Sequence, residues 1–131
     1  MRHTSAFEAA RQFYDHITGG RPEQVLETLH PEVHVSESAD LPFGGEYDGY
    51  QGFTELSERL AALYEPALID LQIFDAGEVA VARLTGRFTA KATGRSCETE
   101  VVELFQVRDG LISQIDIYYQ RPAAVAALLD G

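Results

Sequence analysis

The N-terminal part of the chain carries apolar residues at helical spacing. The residues that recur at intervals of three or four positions are Phe7, Ala10, Phe13, Tyr14 and Ile17. The segment Ser5-Ala6-Phe7-Glu8 has the spacing of a capping box, and Gly19-Gly20 follows the last apolar position. This pattern predicts an amphipathic helix that begins near Ser5 and ends at the two glycines.

A second helix, a strand, a loop and a third helix are predicted next. The second helix covers residues 22–31 and has a proline at each end, and the strand covers residues 32–38. Residues 39–52 are rich in glycine and predict a loop. The third helix runs from Phe53 to the Glu65-Pro66 pair, which ends it.

The spacing of the apolar residues then changes from helical to alternating. The alternating segments, which predict strands, are residues 69–73, 79–91, 98–108 and 111–119. Asp109-Gly110 is a strong hairpin signal between the last two strands, and residues 122–129 predict a short closing helix. Helices followed by an antiparallel meander indicate an α+β domain. A strongly curved sheet wrapped over three helices would form a cone with a pocket inside.

Composition narrows the class of protein. The chain has 131 residues, which suits one domain over residues 1–131, and its formal net charge of −11 argues against nucleic acid or an anionic membrane as a partner. No apolar run approaches the ~18 residues that cross a bilayer, and the N-terminus does not resemble a signal peptide. Cys97 is the only cysteine, which excludes an internal disulfide and a multi-thiolate metal site. We therefore expect a cytoplasmic protein that binds no metal.

Two acidic residues stand out from this pattern. Glu103 lies within Val101-Val102-Glu103-Leu104-Phe105, which otherwise reads as a buried strand. Burying an unpaired carboxylate costs several kcal/mol or raises the pKa of the group, so such an acid is usually paired or used in chemistry. Glu37 shares a strand face with Val33 and Val35 and stands where the strand meets the glycine-rich loop. Each acid is a catalytic candidate, with a solvated acid or a structural ion pair as the alternative.

Several local motifs match one known superfamily. They are Phe13-Tyr14-Asp15 with Gly19-Gly20, Leu29-His30-Pro31-Glu32-Val33, the segment from Leu41 to Gly49, Glu103-Leu104-Phe105, and Arg108-Asp109-Gly110-Leu111-Ile112. In these motifs and in the order of its elements, nearly the whole chain resembles the NTF2-like (cystatin-like) superfamily, and specifically its SnoaL-like polyketide cyclase and ketosteroid isomerase branch. The resemblance implies a cone of three N-terminal helices packed in a curved, mixed, mainly antiparallel sheet, with a short C-terminal helix. The superfamily holds isomerases, cyclases, dehydratases, epoxide hydrolases and non-catalytic proteins.

The ketosteroid isomerases imply roles for particular residues. They use an acid at the end of the first strand as a general base, and a protonated acid with a helix tyrosine as an oxyanion hole. By resemblance, Glu37 falls at the base position and Glu103 at the oxyanion-hole acid. The helix tyrosine falls at Phe13, which has no hydroxyl, and Tyr14 should point about 100° away from it.

SnoaL-type cyclases and limonene-type epoxide hydrolases imply a different essential residue. Both carry an aspartate on the final strand, and that position falls at Ile117 in this chain. Asp116 is one residue away, so it should point to the other face of the sheet.

Other side chains complete the predicted site. The candidates for substrate binding are Phe13, Tyr14, Tyr50, Phe53, Arg83, Phe105, Ile117 and Tyr119. Tyr119 can donate to the ligand or only form a wall of the cavity. Arg83 and Arg87 share a strand face and, if they point inward, would hold Glu103 ionised; otherwise they are solvated. His34 has the opposite parity to Glu37 and should lie outside the pocket.

The sequence therefore predicts a cofactor-independent enzyme for a small hydrophobic carbonyl compound, such as a polyketide-like intermediate of secondary metabolism. The reaction would be acid/base isomerisation, cyclisation or dehydration. A non-catalytic module for small-molecule binding or dimerisation, and an epoxide hydrolase, are the alternatives. Val102, Leu104, Ile112 and Tyr118 form an apolar outer face of the sheet, through which members of this superfamily commonly pair, so we also expect a homodimer.

Overall fold

A computed structural model describes residues 4–130. The helices are α1 (Ala6–Thr18), α2 (Pro22–Glu27), α3 (Gly49–Leu63) and α4 (Pro122–Ala127). The strands are β1 (Leu29–Glu37), β2 (Gly45–Asp48), β3 (Tyr64–Ala76), β4 (Val79–Ala90), β5 (Ser96–Arg108) and β6 (Leu111–Tyr119). Ser5 caps α1, and its hydroxyl accepts a hydrogen bond from the backbone N–H of Glu8, as the capping box predicts.

The six strands form one mixed sheet in the order β2-β1-β6-β5-β4-β3. Only β1 and β6 run parallel, and the other neighbours are antiparallel. Helix α1 packs across β3, β4, β5 and β6, while α3 packs against β1, β2 and β3. The sheet thus carries its helices on one face, which is the predicted α+β architecture.

Strict alternation decides which side chains face the helices. On β5, Val101, Glu103 and Phe105 point toward the helices, and Val102 and Leu104 point outward. Two inward positions of β4, Ala80 and Ala82, are small and fully buried, which allows α1 to lie close to the sheet there, whereas Leu84 and Phe88 on the same face are larger. Helix α1 therefore covers the inner face of the sheet along β3, β4, β5 and β6.

The glycine-rich segment is more ordered than the sequence predicts. It contains β2, which pairs with β1 so that Tyr47 lies opposite Val35, and α3 begins at Gly49 rather than at Phe53. Gly49 has a φ of 70°, a value that favours glycine at this strand-to-helix junction. A four-residue strand flanked by glycines is too short to show an alternating pattern.

Two prolines lie inside strands instead of ending helices. Helix α2 stops at Glu27, and Pro31 belongs to β1, where the register with β6 shifts between Leu29 and His34. Pro66 belongs to β3, which is an edge strand, and an edge strand tolerates a residue without a backbone N–H. Within residues 4–130, no helix is long and apolar enough to cross a membrane.

Candidate active site

A cavity of about 260 Å³ lies between the inner face of the sheet and helices α1 and α3. Most of its lining is apolar and comes from α1, α3, β3, β4, β5 and β6. The carboxyl groups of Glu37 and Glu103 and the hydroxyl groups of Tyr14 and Tyr119 belong to its lining. A few polar groups in an otherwise apolar cavity are typical of a small-molecule site.

Glu37 is the last residue of β1 and points into the cavity. Its side chain is buried, and one oxygen, Oε1, accepts a hydrogen bond of 3.1 Å from the backbone N–H of Ser38. Burial disfavours the charged form and raises the pKa of this carboxyl to about 8, although the Ser38 N–H opposes the shift. Among the described residues, Oε2 has no hydrogen-bond partner, so this oxygen is available to exchange a proton with a ligand.

Glu103 lies at the centre of the sheet, between Ala82 on β4 and Ile117 on β6. Its carboxyl Oε1 accepts a hydrogen bond from the hydroxyl of Tyr14 on α1. Burial raises the pKa of the Glu103 carboxyl to about 7. No cation of the described part of the chain pairs with it, so the acid is in the apolar strand for a reason other than a salt bridge.

Tyr14, and not Phe13, brings a hydroxyl group from α1 to the cavity. The prediction that Tyr14 points away from the site is wrong, because α1 lies within the concave face of the sheet and side chains 100° apart on it are both buried. Phe13 also lines the cavity, and its ring packs edge-to-face against Phe53 and Phe105. Both residues stand in the apolar stripe of α1, and that stripe was the available signal that both face inward.

Tyr119 lines the same cavity from β6. Its ring packs against Phe43 and Phe88. Burial, and the nearby carboxyls of Glu37 and Glu103, hold the pKa of the Tyr119 hydroxyl well above its usual range. The Tyr119 hydroxyl is therefore protonated at neutral pH. It is close enough to Glu37 and Glu103 for their charges to act on it.

The two arginines of β4 lie outside the cavity, contrary to the prediction for Arg83. Arg83 pairs with Glu100 at 2.5 Å and Arg87 pairs with Glu98 at 2.8 Å, all on the outer face of the sheet. The alternation that points Ala82 toward α1 points Arg83 away from it. Neither arginine can contact a ligand between the two acids or hold Glu103 ionised.

Two aromatic residues predicted to bind substrate also lie elsewhere. The Tyr50 hydroxyl donates a hydrogen bond of 3.2 Å to the backbone oxygen of Leu29, and this side chain is outside the cavity. Phe105 is fully buried behind the cavity, where it supports the rings of Phe13 and Tyr14. Phe105 points toward the helices, as strand alternation predicts. Helix α1 covers its ring, so Phe105 does not line the cavity.

The final strand has the predicted parity. Ile117 lines the cavity opposite Glu103, whereas Asp116 lies on the outer face and accepts a hydrogen bond of 2.9 Å from Gln114. No register shift falls between Ile115 and Tyr119. The aspartate used by cyclases and epoxide hydrolases on this strand is therefore not available to the cavity.

His34 lies outside the cavity, as its parity predicts, between two acids of β2. Its Nδ1 is 2.7 Å from Asp48 and its Nε2 is 2.8 Å from Glu46, and these contacts raise the pKa of the imidazole. Within residues 4–130, no three side chains of the His, Cys, Asp and Glu types come together in a way that could hold a metal ion.

Comparison with known proteins decides the family. A family model described as the SnoaL-like domain matches residues 10–115. The chain belongs to the SnoaL-like family. No curated protein matches the sequence. The SnoaL-like assignment agrees with the resemblance carried by the motifs of α1, β1 and β5.

Solved structures share the fold of this SnoaL-like chain. An NTF2-like protein from Burkholderia thailandensis is similar over 100% of both chains, with a TM-score of 0.90 and 20% identity. A proposed polyketide cyclase from Pseudomonas putida is similar over 94% of this chain and 98% of its own, with a TM-score of 0.79 and 19% identity. TerC, co-crystallised with polyporic acid, is similar over 95% and 97%, with a TM-score of 0.82 and 19% identity. These similarities confirm the predicted NTF2-like fold.

Proposed function

We propose that this SnoaL-like protein is a cofactor-independent enzyme that moves a proton next to the carbonyl group of a small hydrophobic compound. Isomerisation of a carbon–carbon double bond toward the carbonyl is the reaction that the site fits best. Cyclisation or dehydration of a polyketide-like intermediate uses the same first step. The observation that carries the proposal is the hydrogen bond from Tyr14 to Glu103 in an apolar cavity that also contains Glu37.

Three of the polar groups in the cavity have a role in this reaction. Glu37 removes a proton from the carbon beside the carbonyl, using the oxygen that has no protein partner. When a carbonyl oxygen is bound, the Tyr14 hydroxyl donates to that oxygen instead of to Glu103, and protonated Glu103 donates to it as well, where negative charge develops as the enolate forms. Glu37 then returns the proton to a different carbon, so the enzyme ends the cycle in its starting state. In the apolar cavity these hydrogen bonds are stronger than they would be in water.

The raised pKa values keep a proton available to the two carboxyls near neutral pH, and the bound ligand decides which of them holds it. The pKa of Glu103 is about 7 and that of Glu37 about 8, so near neutral pH the two carboxyls hold between one and two protons. A bound carbonyl oxygen accepts hydrogen bonds only from the protonated form of Glu103, so ligand binding favours protonated Glu103 and ionised Glu37.

A direct test compares two amide substitutions in the conversion of a β,γ-unsaturated cyclohexenone to its conjugated isomer, followed by ultraviolet absorbance. An amide cannot accept the substrate proton, so Glu37→Gln should abolish turnover. An amide can still donate a hydrogen bond, so Glu103→Gln should retain a measurable fraction of the activity. Glu98→Gln makes the same replacement of a carboxyl by an amide at an exposed position and serves as the control. This variant should keep the turnover of the parent protein. Full activity of Glu37→Gln would refute the assigned base.

A binding module without catalysis is the second candidate, and the apolar lining of the cavity alone would satisfy it. Two buried carboxyls with raised pKa values are costly for a protein that only binds an apolar ligand, which favours the enzyme. Epoxide hydrolysis is less well supported, because Ile117 replaces the aspartate of the last strand and Arg83 lies on the outer face.

We also propose that the protein forms a homodimer through the outer face of the sheet. The exposed or half-buried apolar side chains of this face are Phe74, Val81, Val102, Leu104 and Tyr118. Ile112, which the sequence predicts on this face, is instead fully buried, because the register of β5 and β6 shifts between Gln106 and Val107. Adjacent strands bring the exposed and half-buried side chains together, since Val81 is the cross-strand partner of both Phe74 and Leu104. The Arg83–Glu100 and Arg87–Glu98 pairs flank this patch. An apolar patch with paired charges beside it can meet a second copy of itself without burying an unpaired charge.

A further inference from the structure

A second, larger groove adjoins the catalytic cavity and shares five of its lining residues. This groove has a volume of about 560 Å³ and is bounded by the end of α1, by α2 and by α3. The residues that line both spaces are Ile17, Phe53, Ser57, Leu60 and Pro66. The shared lining places the groove beside the cavity, where it offers space for the long apolar tail of a molecule whose carbonyl lies between the two acids. The inner cavity of about 260 Å³ alone would hold only a small ring.

A fixed cationic group lies in the lining of the groove. The guanidinium of Arg21 donates from Nε to His16 Nδ1 at 3.0 Å and from Nη2 to the backbone oxygen of Asp15 at 2.9 Å. Both Arg21 and His16 line the groove. Because His16 Nδ1 accepts this hydrogen bond, the imidazole carries its proton on Nε2 and can donate from there.

Gly19 makes room for this arrangement. A side chain at position 19 would place its Cβ within 2.6 Å of the Arg21 guanidinium carbon, so the guanidinium lies directly over the glycine. The Nη1 group of Arg21 makes no hydrogen bond to any described residue. The arginine is therefore held in place by its neighbours while one NH₂ group remains free to bind a ligand, a state that costs little entropy on binding.

We propose that the substrate of this enzyme carries a carboxylate at the end of its apolar tail, and that Arg21, with His16, binds it. This rests on the function proposed above and adds the chemical class of the substrate: an elongated keto acid. Arg21 offers the planar guanidinium that suits a carboxylate, in a chain whose net charge of −11 otherwise repels anions. Glu58 of α3 also lines the groove, so an anion binds on the α1 side.

The test uses ω-(4-hydroxyphenyl)alkanoic acids in a series of chain lengths, together with their methyl esters, as calorimetric probes. The phenol mimics an enolate oxygen at Tyr14 and Glu103, and the carboxylate is present only in the acid. At the best chain length, the acid should bind about 5- to 10-fold more tightly than the ester, the size expected of one partly exposed charge-assisted hydrogen-bonded pair. Arg21→Gln should remove this preference.

Two further variants separate the effect of where the Arg21 guanidinium lies from the effect of removing a positive charge. Gly19→Ala retains the arginine but displaces its guanidinium, and it should also remove the preference; the φ of −82° at Gly19 is one that alanine adopts freely. Arg11→Gln removes the same charge from α1 at an exposed position outside the groove and should leave the preference intact.

The outcomes distinguish the two proposals. Equal affinity of acid and ester, or a preference that survives Arg21→Gln, would overturn the carboxylate site and leave the catalytic proposal standing. Loss of the preference in Arg11→Gln as well would show a general effect of charge and would also overturn it. If neither acid nor ester loses affinity in Tyr14→Phe, the probe does not span the two spaces and the carboxylate proposal is overturned, whereas the catalytic proposal is decided separately by the turnover of Glu37→Gln.

Discussion

The hydroxyl of Tyr14 donates a hydrogen bond to the carboxyl of Glu103, a residue 89 positions later in the chain. The contact joins the first helix to the central strand of the sheet and places a phenol and an acid side by side at the wall of one cavity. It supplies the hydroxyl that Phe13 lacks. The cavity thus has two neighbouring donors and, in Glu37, a separate base.

Removal of the Tyr14 hydroxyl tests this contact. Tyr14→Phe should lower kcat by about 100-fold, since the loss of one oxyanion donor typically costs at least that much. The pKa of Glu103 should rise further, because a donated hydrogen bond favours the carboxylate and its loss favours the acid. Initial rates would measure the first effect, and NMR titration of the labelled carboxyl would measure the second.

Tyr50→Phe is the matched control for this substitution. Its hydroxyl bonds to the Leu29 backbone outside the cavity, so kcat should change less than about 2-fold, within the range of an exposed hydrogen bond. Equal losses in the two variants would mean that the phenol of Tyr14 acts only through the stability of the fold.

Strand alternation predicted most of the site. Glu37, Glu103, Ile117 and Tyr119 all face the cavity, because the side-chain period of a strand is two and no irregularity interrupts it at these positions. The α+β order and the curved sheet also followed from the change of apolar spacing along the chain. These features depend on local patterns that the sequence carries directly.

The wrong predictions concern side chains whose direction is decided by tertiary contacts. On β4, Ala80 and Ala82 point inward and Val81 and Arg83 point outward, because α1 lies against the inner face of this strand. Arg83 and Arg87 share one face of β4, and no local pattern records which face of this strand the helices cover. The position of Tyr14 depended on how far α1 enters the curve of the sheet, which no local pattern records.

The two carboxyls should give a bell-shaped dependence of kcat/KM on pH. Protonation of Glu37 removes the base at low pH, and ionisation of Glu103 removes the donor at high pH. With the pair losing its protons near pKa values of about 7 and about 8, the maximum should lie between them. The measurement is kcat/KM in buffers of constant ionic strength.

Glu103→Gln provides the control for this profile. Glutamine does not ionise, so the decline at high pH should disappear and the activity should reach a plateau. A decline that persists unchanged in this variant would show that a group other than Glu103 limits the rate at high pH.

The outer face of the sheet should determine the oligomeric state. Leu104→Arg places a charge at the centre of the apolar patch and should convert the homodimer to a monomer, because an unpaired buried charge costs several kcal/mol. Analytical ultracentrifugation would show the change in mass. Gln12→Arg adds the same charge on the exposed side of α1 and should remain dimeric. A monomeric parent protein would contradict the proposed interface.

Glu37 should make the protein less stable as the pH rises. Its pKa is about 8 in the folded protein against an ordinary value of 4.5, so between these values the folded state binds more protons than the unfolded state. The free energy of unfolding therefore falls as pH increases through this window, by a few kcal/mol at about 1.4 kcal/mol per unit of pKa shift. Glu103 contributes in the same direction between 4.5 and about 7.

Glu37→Gln removes the larger of these two contributions. The variant should match the parent in thermal unfolding temperature near the pH of an ordinary glutamate pKa, and should exceed it above the folded pKa of about 8. Glu98→Gln, at an exposed ion pair, should not produce such a widening difference. Equal pH dependence in the parent and Glu37→Gln would mean that Glu37 ionises without cost when folded. Gain of stability together with loss of turnover in one substitution would show that the buried acid is retained for chemistry.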